Sequence, residues 1–282
     1  MSDSNAPQPC SFDQVTLGRS GRRVGQLGLG SSFGIGGKDL ARAFDAGLNY
    51  FYWGTLRRDG FARGVRDLAQ SHRDDMVVVV QSYTRWPWLL GLSVERALKK
   101  LRLERADMVL LGLWNEPLPP RMEEAARKLI ERGLTDQVIL SCHQRATIPT
   151  HAQNELLSSV MVRYNAAHPG AENDVFPHLP KENGPGVIAY TATCWGWLLD
   201  PSRIPAGEPA PRASDCYRFA LTRDEVDLCL TGPRNADDLD EALEALRRGP
   251  MDADELAWMK RVGAGLRRGR TLVPWHDTSP AS

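Results

Sequence analysis

Three side chains in this sequence stand where a proton could be moved or an anion held: Tyr52, His143 and Arg163. Tyr52 lies in the run G-L-N-Y-F-Y-W-G-T-L-R-R-D-G, residues 47–60, where an aromatic, β-prone stretch bounded by glycines gives way to charge. A tyrosine at such a strand end can donate a proton if a neighbouring cation, Arg57 or Arg58, lowers its pKa; otherwise it is a rim or core aromatic. His143 follows Ser141 and Cys142 at the end of an apolar run and is the best-placed imidazole for acid–base work, with no carboxylate partner identifiable. Arg163 interrupts the apolar strand V-M-V-R-Y-N. A charge so placed needs a partner, either an anionic ligand or a buried carboxylate such as Glu172. Trp53, Trp114 and Trp195 each follow a strand end, which suits an aromatic-lined pocket for a flat ligand or equally a shield over the core. The six histidines are scattered, with no H-x-x-x-H and no cysteines at ligand spacing, so no metal site is expected.

Such residues act together only if their strands end at one mouth, and the order of elements provides for that. Residues 14–24, Q-V-T-L-G-R-S-G-R-R-V, read as a hairpin. From Leu27 onward, strands and crossovers alternate. Strands are expected at 27–30, 49–53, 76–80, 107–113, 138–140, 160–164, 187–190 and 226–230. The run M-V-V-V-V at 76–80 has the β-branched continuity of a strand buried on both faces. Helices are expected at 39–46, 61–70, 93–101 with Ser93 as cap, 121–131 closed by Gly133, 151–157, 213–221 and 237–247, with a further one at 252–262. Eight parallel units close into a barrel, so the fold class is α/β: a (β/α)8 TIM barrel with an N-terminal β-hairpin and an extra C-terminal helix. An open doubly wound sheet would need a reversal of strand order for which the sequence gives no cue. One domain at 14–265 is expected between a flexible tail at 1–13 and a C-terminal tail at 266–282.

Composition narrows the partners. With 282 residues and 42% hydrophobic content the chain can bury a large core, and 35 basic residues balance 35 acidic ones. No overall field draws it to nucleic acid or to an anionic membrane, so a small-molecule substrate is the expected partner. Five cysteines without a C-x-x-C pair fit a reducing compartment. The polar start lacks a secretory pattern and no stretch is long and apolar enough to span a bilayer, so a cytoplasmic location is expected.

Taken together, V-T-L-G-R-S-G-R-R-V, L-G-L-G-S-S, G-L-N-Y-F, L-K-K-L-R-L-E-R-A-D, the strand end bearing Ser141, R-Y-N-A-A-H-P-G-A-E and T-G-P-R-N resemble the aldo-keto reductase superfamily, from about Val15 to about Gly263. The resemblance implies a (β/α)8 barrel with a nicotinamide cofactor, usually NADPH, across its mouth and carbonyl reduction by hydride transfer. It also implies a working set of aspartate, tyrosine, lysine and histidine, and here those positions carry Tyr52, Asp59, Ser82 (Gln81 if the alignment slips by one) and Gly112. In that set the tyrosine hydroxyl gives the proton and needs a nearby cation to lower its pKa. None of the six lysines of this sequence lies at a strand end. On the cofactor side the resemblance assigns Gly30, Ser31, Ser141, Asn165, Trp195, Gly196, Gly232, Arg234 and Asn235 to the nucleotide. Arg234 and Asn235 would meet a 2′-phosphate, which Asp238 would repel. Cys142, Met161 and Ala242 replace an asparagine, a glutamine and an asparagine of the family pattern.

The expected function is NADPH-linked reduction of a carbonyl or quinone-like small molecule by a divergent site. Two rivals stand beside it: a catalytically silent homologue that binds a nucleotide or metabolite, and a non-redox lyase or isomerase using His143, Tyr52 and Arg163 at the mouth.

Overall fold

The computed structural model of the protein describes residues 12–54 and 58–268; Cys10 and Arg57 lie outside them. Short antiparallel strands β1 (Val15–Thr16) and β2 (Arg23–Val24) form the expected hairpin. Eight parallel strands follow: β3 (Leu27–Gly30), β4 (Tyr50–Trp53), β5 (Val77–Ser82), β6 (Ala106–Leu111), β7 (Thr135–Ser141), β8 (Leu157–Arg163), β9 (Gly186–Tyr190) and β10 (Leu228–Thr231). They close as a barrel, with β10 pairing both β9 and β3.

Period-two alternation sorts each strand's side chains into two cores. The bore holds Tyr50, Tyr52, Val79, Leu110, Ile139 and Ile188, and Leu17 and Val24 of the hairpin region plug its base. The other face of each strand packs against a ring of helices. These are α1 (Gly37–Asp45), α2 (Asp59–His72), α3 (Pro87–Leu101), α4 (Pro120–Glu131), α5 (Ile148–Ala152), α6 (Ala171–Asp174), α7 (Ala213–Leu221), α8 (Ala236–Arg248) and α9 (Ala253–Arg268). Gly18, at φ +44°, lies so close to the backbone of Gly186 that a Cβ could not fit, which lets the hairpin turn press against the strand it closes.

Two expected helix starts move. Ser93 sits inside α3 and caps nothing, because Pro87, whose missing N–H costs nothing in a first turn, begins that helix six residues earlier. The helix expected at 151–157 is α5, placed earlier by Pro149 in its first turn, and Leu157 already opens β8. At the C-terminus α9 runs to Arg268 with Leu266 buried.

Candidate active site at the barrel mouth

Alternation decides which residues reach the mouth from inside. Tyr52, Gln81, Ser141, Arg163 and Tyr190 share parity with the bore residues of their strands, and Arg163 and Tyr190 are Cα partners across β8 and β9. Trp53 has the opposite parity. It is buried among Phe51, Phe61 and the helix shell, with Nε1 reaching the Arg58 carbonyl at 3.4 Å, so it lines no mouth pocket. The same rule separates the two positions proposed for the lysine: Gln81 faces the bore, whereas buried Ser82 faces the helices.

Tyr52 and Gln81 form a closed unit. The Tyr52 hydroxyl donates to Gln81 Oε1, and Gln81 Nε2 donates to the Gly54 carbonyl. Ser31, fully buried, accepts from Gly54 N at 3.1 Å, fastening the exit of β4 to that of β3. Among the described residues no cation lowers the Tyr52 pKa. Burial first, then Tyr83 and Tyr50, hold its hydroxyl well above the usual phenol range. Arg58 turns away to the Ser32 carbonyl at 2.8 Å.

Tyr83 takes the space above Gly112. A Cβ on that glycine would collide with the Tyr83 ring, so the absence of a side chain at 112 and the position of the phenol are one arrangement. Arg85 secures the same turn, donating to the Gly112 carbonyl at 3.0 Å and the Leu113 carbonyl at 2.6 Å while lying 4.3 Å over the Trp114 ring. Asp59, at the position assigned to the family tyrosine, is exposed on the outer wall and paired with Lys100 at 2.6 Å.

On the opposite side, Asn115 Oδ1 accepts from the backbone N–H groups of His143 at 2.9 Å and Gln144 at 3.3 Å, shaping the exit of β7. The His143 ring stacks on Tyr190 with centroids 6.2 Å apart and planes 23° from parallel. Burial, then the charge of Arg163, lowers the His143 pKa, so the ring is neutral at pH 7. Tyr190 is pushed above the usual phenol range by burial, and Arg163 opposes that rise. Its buried hydroxyl has no hydrogen-bond partner among the described residues. Cys142, whose thiol bonds the Gln144 carbonyl at 3.1 Å, is pushed up to about 11 by burial. Glu172 is not the partner of Arg163: its Oε1 accepts from the Tyr164 hydroxyl at 2.7 Å, on the helix side of β8.

The residues assigned to the nucleotide are less uniform. Ser141 Oγ accepts from Leu113 N at 3.0 Å, which leaves its own hydroxyl hydrogen to donate. Asn165 is fully buried and committed to its loop. Its Nδ2 donates to the Thr191 carbonyl at 2.8 Å, and its Oδ1 accepts from Ala167 N at 3.0 Å and His168 N at 2.9 Å. Trp195, 48% exposed, stands edge-on to His168 at 5.9 Å in a turn where Thr191, Cys194, Trp195 and Gly196 all have positive φ. Gly30 abuts the Thr231 carbonyl, and Gly232 lies under the exposed ring of Phe33. Asn235 caps α8 by accepting from Asp238 N at 2.9 Å. Arg234 is gripped by Asp238 through Nε at 2.7 Å and Nη2 at 3.2 Å, so the carboxylate occupies the fork a 2′-phosphate would use.

Sequence reasoning gave no role to Tyr190 or Tyr83, and named Gln81 only as an alternative to Ser82. Tyr190 could have been found by carrying the alternation V-I-A-Y one residue past the apolar run.

No protein-family model matches the chain, and no curated protein matches it. Solved structures do. An aldo-keto reductase from Bacillus halodurans in its holo form superposes with a TM-score of 0.74 at 18% identity, covering 89% of this chain and 96% of that one. The apo form of that enzyme gives 0.71 at 17% identity over the same shares of the two chains. An aldo/keto reductase from Klebsiella pneumoniae in complex with NADP and acetate gives 0.71 at 19%, covering 88% and 95%. The chain has the aldo-keto reductase fold. No helix among the described residues is long and apolar enough to cross a membrane, and none of their His, Cys, Asp and Glu residues cluster as metal ligands would.

Proposed function

We propose that the barrel mouth reduces a carbonyl or quinone-like small molecule with NADPH, using Tyr190 rather than Tyr52 as the proton donor. The observation that carries this reading is the buried Tyr190 hydroxyl, without a partner among the described residues and under the influence of the Arg163 cation. Likeness to a reductase whose complex holds NADP supports the cofactor. Ser141 would hold the nicotinamide end through its hydroxyl hydrogen, with Gly30 and Ser31 along its path. Trp195, Gly196 and Gly232 would flank the nucleotide, and Arg234 and Asn235 would stand at its adenosine end. When bound, NADPH supplies a hydride to the carbonyl carbon.

The chain's own residues then manage the oxygen. Tyr190 donates its proton to the oxygen as charge develops there, and Arg163 stabilises the phenolate left behind. Neutral His143, stacked on the same ring, keeps its orientation and can hand on a proton drawn from solvent. Tyr52 and Gln81 form the floor of the pocket. The exchange of all four family tetrad positions supports a second reading, in which the mouth binds a nucleotide or metabolite without turning it over.

Tryptophan quenching by NADPH, followed by NADPH oxidation against aldehydes and quinones, tests both. Under the first reading Tyr190→Phe lowers turnover on the order of 100-fold or more with quenching unchanged, while Tyr52→Phe has a much smaller effect. Quenching without turnover on any substrate selects the silent binder. No quenching at all removes the first reading and favours a non-redox lyase or isomerase.

A further inference from the structure

Outside the mouth, a concentration of charge lies on the outer wall between α2 and α3. A groove of roughly 720 Å³ is lined there by Arg63 and Arg66 of α2, Arg96, Lys99 and Lys100 of α3, Arg102 just beyond it, and Asp59. Six cations face one carboxylate in a chain whose formal net charge is zero. Elsewhere exposed arginines are mostly matched: Arg42 with Asp240, Arg132 with Glu95, Arg234 with Asp238 and Arg261 with Glu208. In the groove only Lys100 has an acidic partner, Asp59, while Arg63, Arg96, Lys99 and Arg102 form no ion pair among the described residues. Arg66 donates to the Lys100 carbonyl at 3.0 Å, tying the two helices together and fixing the spacing of the two basic rows.

The dipole of α3 accounts for part of this. Lys99, Lys100 and Arg102 sit at its C-terminal end, where cations are favoured. It does not account for Arg63 and Arg66, both ahead of the last turn of α2, where the dipole gives cations no benefit, nor for Arg96 turned toward them across the groove. Self-repulsion of that size is relieved by an anion of matching charge density.

The geometry points to a binding site for an oligophosphate chain, the anion shared by inorganic polyphosphate and nucleoside triphosphates. Guanidinium forks take phosphate oxygens two at a time, and lysines add mobile point charges. No aromatic ring lines the groove, so nothing stacks a base, and the basic lining is confined to one groove of ligand size. Both features favour a compact phosphate chain over a nucleic acid.

Titration calorimetry on the full chain tests this with sodium tripolyphosphate, ATP, orthophosphate and a short RNA duplex. Tripolyphosphate is expected to bind at least about tenfold tighter than orthophosphate, with affinity falling steeply as salt rises. Arg63→Gln combined with Arg96→Gln weakens it at least about tenfold and leaves NADPH quenching at the mouth untouched, since both side chains are exposed on the outer wall. ATP equal to tripolyphosphate marks the phosphate chain alone as the ligand, and ATP tighter marks a nucleotide source. The proposal is overturned if tripolyphosphate binds no better than orthophosphate, if the double variant binds like the parent, or if the RNA duplex binds more tightly than either oligophosphate.

Discussion

A phenol buried beside a guanidinium is pulled two ways. Burial makes the phenolate costly, the cation makes it cheaper, and in Tyr190 burial is the larger effect. Carboxyls in this barrel obey the same balance. Asp227 accepts from Val187 N at 2.8 Å, yet burial raises its pKa to about 6. The sign follows directly: the folded state holds this proton more tightly than the unfolded state, so the ionised carboxylate weakens the fold above pH 6. That penalty disappears as pH falls toward the unfolded value near 4. Asp227→Asn keeps an acceptor for Val187 and removes the charge. It is expected to stabilise the protein by on the order of 1 kcal/mol at pH 7.5 and to change little at pH 4, read from urea midpoints at the two pH values. Residues of this kind were only partly legible in the sequence. Arg163 was found because a charge interrupts an apolar strand, and Ser141 because its strand end resembles that of a known family. Trp53 was read at its strand end as either pocket lining or a shield over the core, and parity, which turns it to the helices, removes the first. Tyr190 reads as one more apolar strand residue until its neighbour across β8 is known to be an arginine.

At the scale of elements, the strands were legible because continuous β-branched runs have few other uses, and closure followed from counting them. Helix starts were less so. Ser93 is a good cap residue, but α3 begins where Pro87 and two apolar turns allow it, and tertiary packing outweighs a local preference. The terminal helix depends on something composition does not reveal. Gly263 of α9 lies against the Ala166 carbonyl, in the loop after β8, with no room for a Cβ. Alanine is the better helix former, so propensity alone predicts that Gly263→Ala stabilises α9 by about 1 kcal/mol. The contact predicts the opposite: α9 must lift off the loop that carries Asn165 and His168, at a cost of about 1–3 kcal/mol. A melting temperature below that of the parent supports the contact; one above it shows that the helix is not seated as described.

Across the whole molecule the two ends of the barrel do different work. The mouth gathers phenols, the His143 imidazole and the guanidinium of Arg163, whereas the base is tied by ions. Asp107, 1% exposed at the start of β6, accepts from Val78 N at 2.7 Å and meets Arg73 at 2.9 Å and Arg22 of the hairpin at 3.2 Å. Arg22 and Arg105 also hold Asp136 on β7, so the plug and three neighbouring strands share one network. Even with two arginines beside it, burial keeps the Asp107 pKa above the ordinary carboxylate value. Removing one of them leaves a buried charge short of compensation. Arg73→Met is therefore expected to cost about 3 kcal/mol at pH 7.5. The cost has a pH signature that a simple packing loss lacks. Because the folded-state pKa is raised, lowering the pH protonates Asp107 in the folded protein before the unfolded chain, and the penalty is smaller at pH 4 than at pH 7.5. Urea unfolding of parent and variant at both pH values measures it, and an identical penalty at the two would show that Arg73 acts through its contacts rather than its charge.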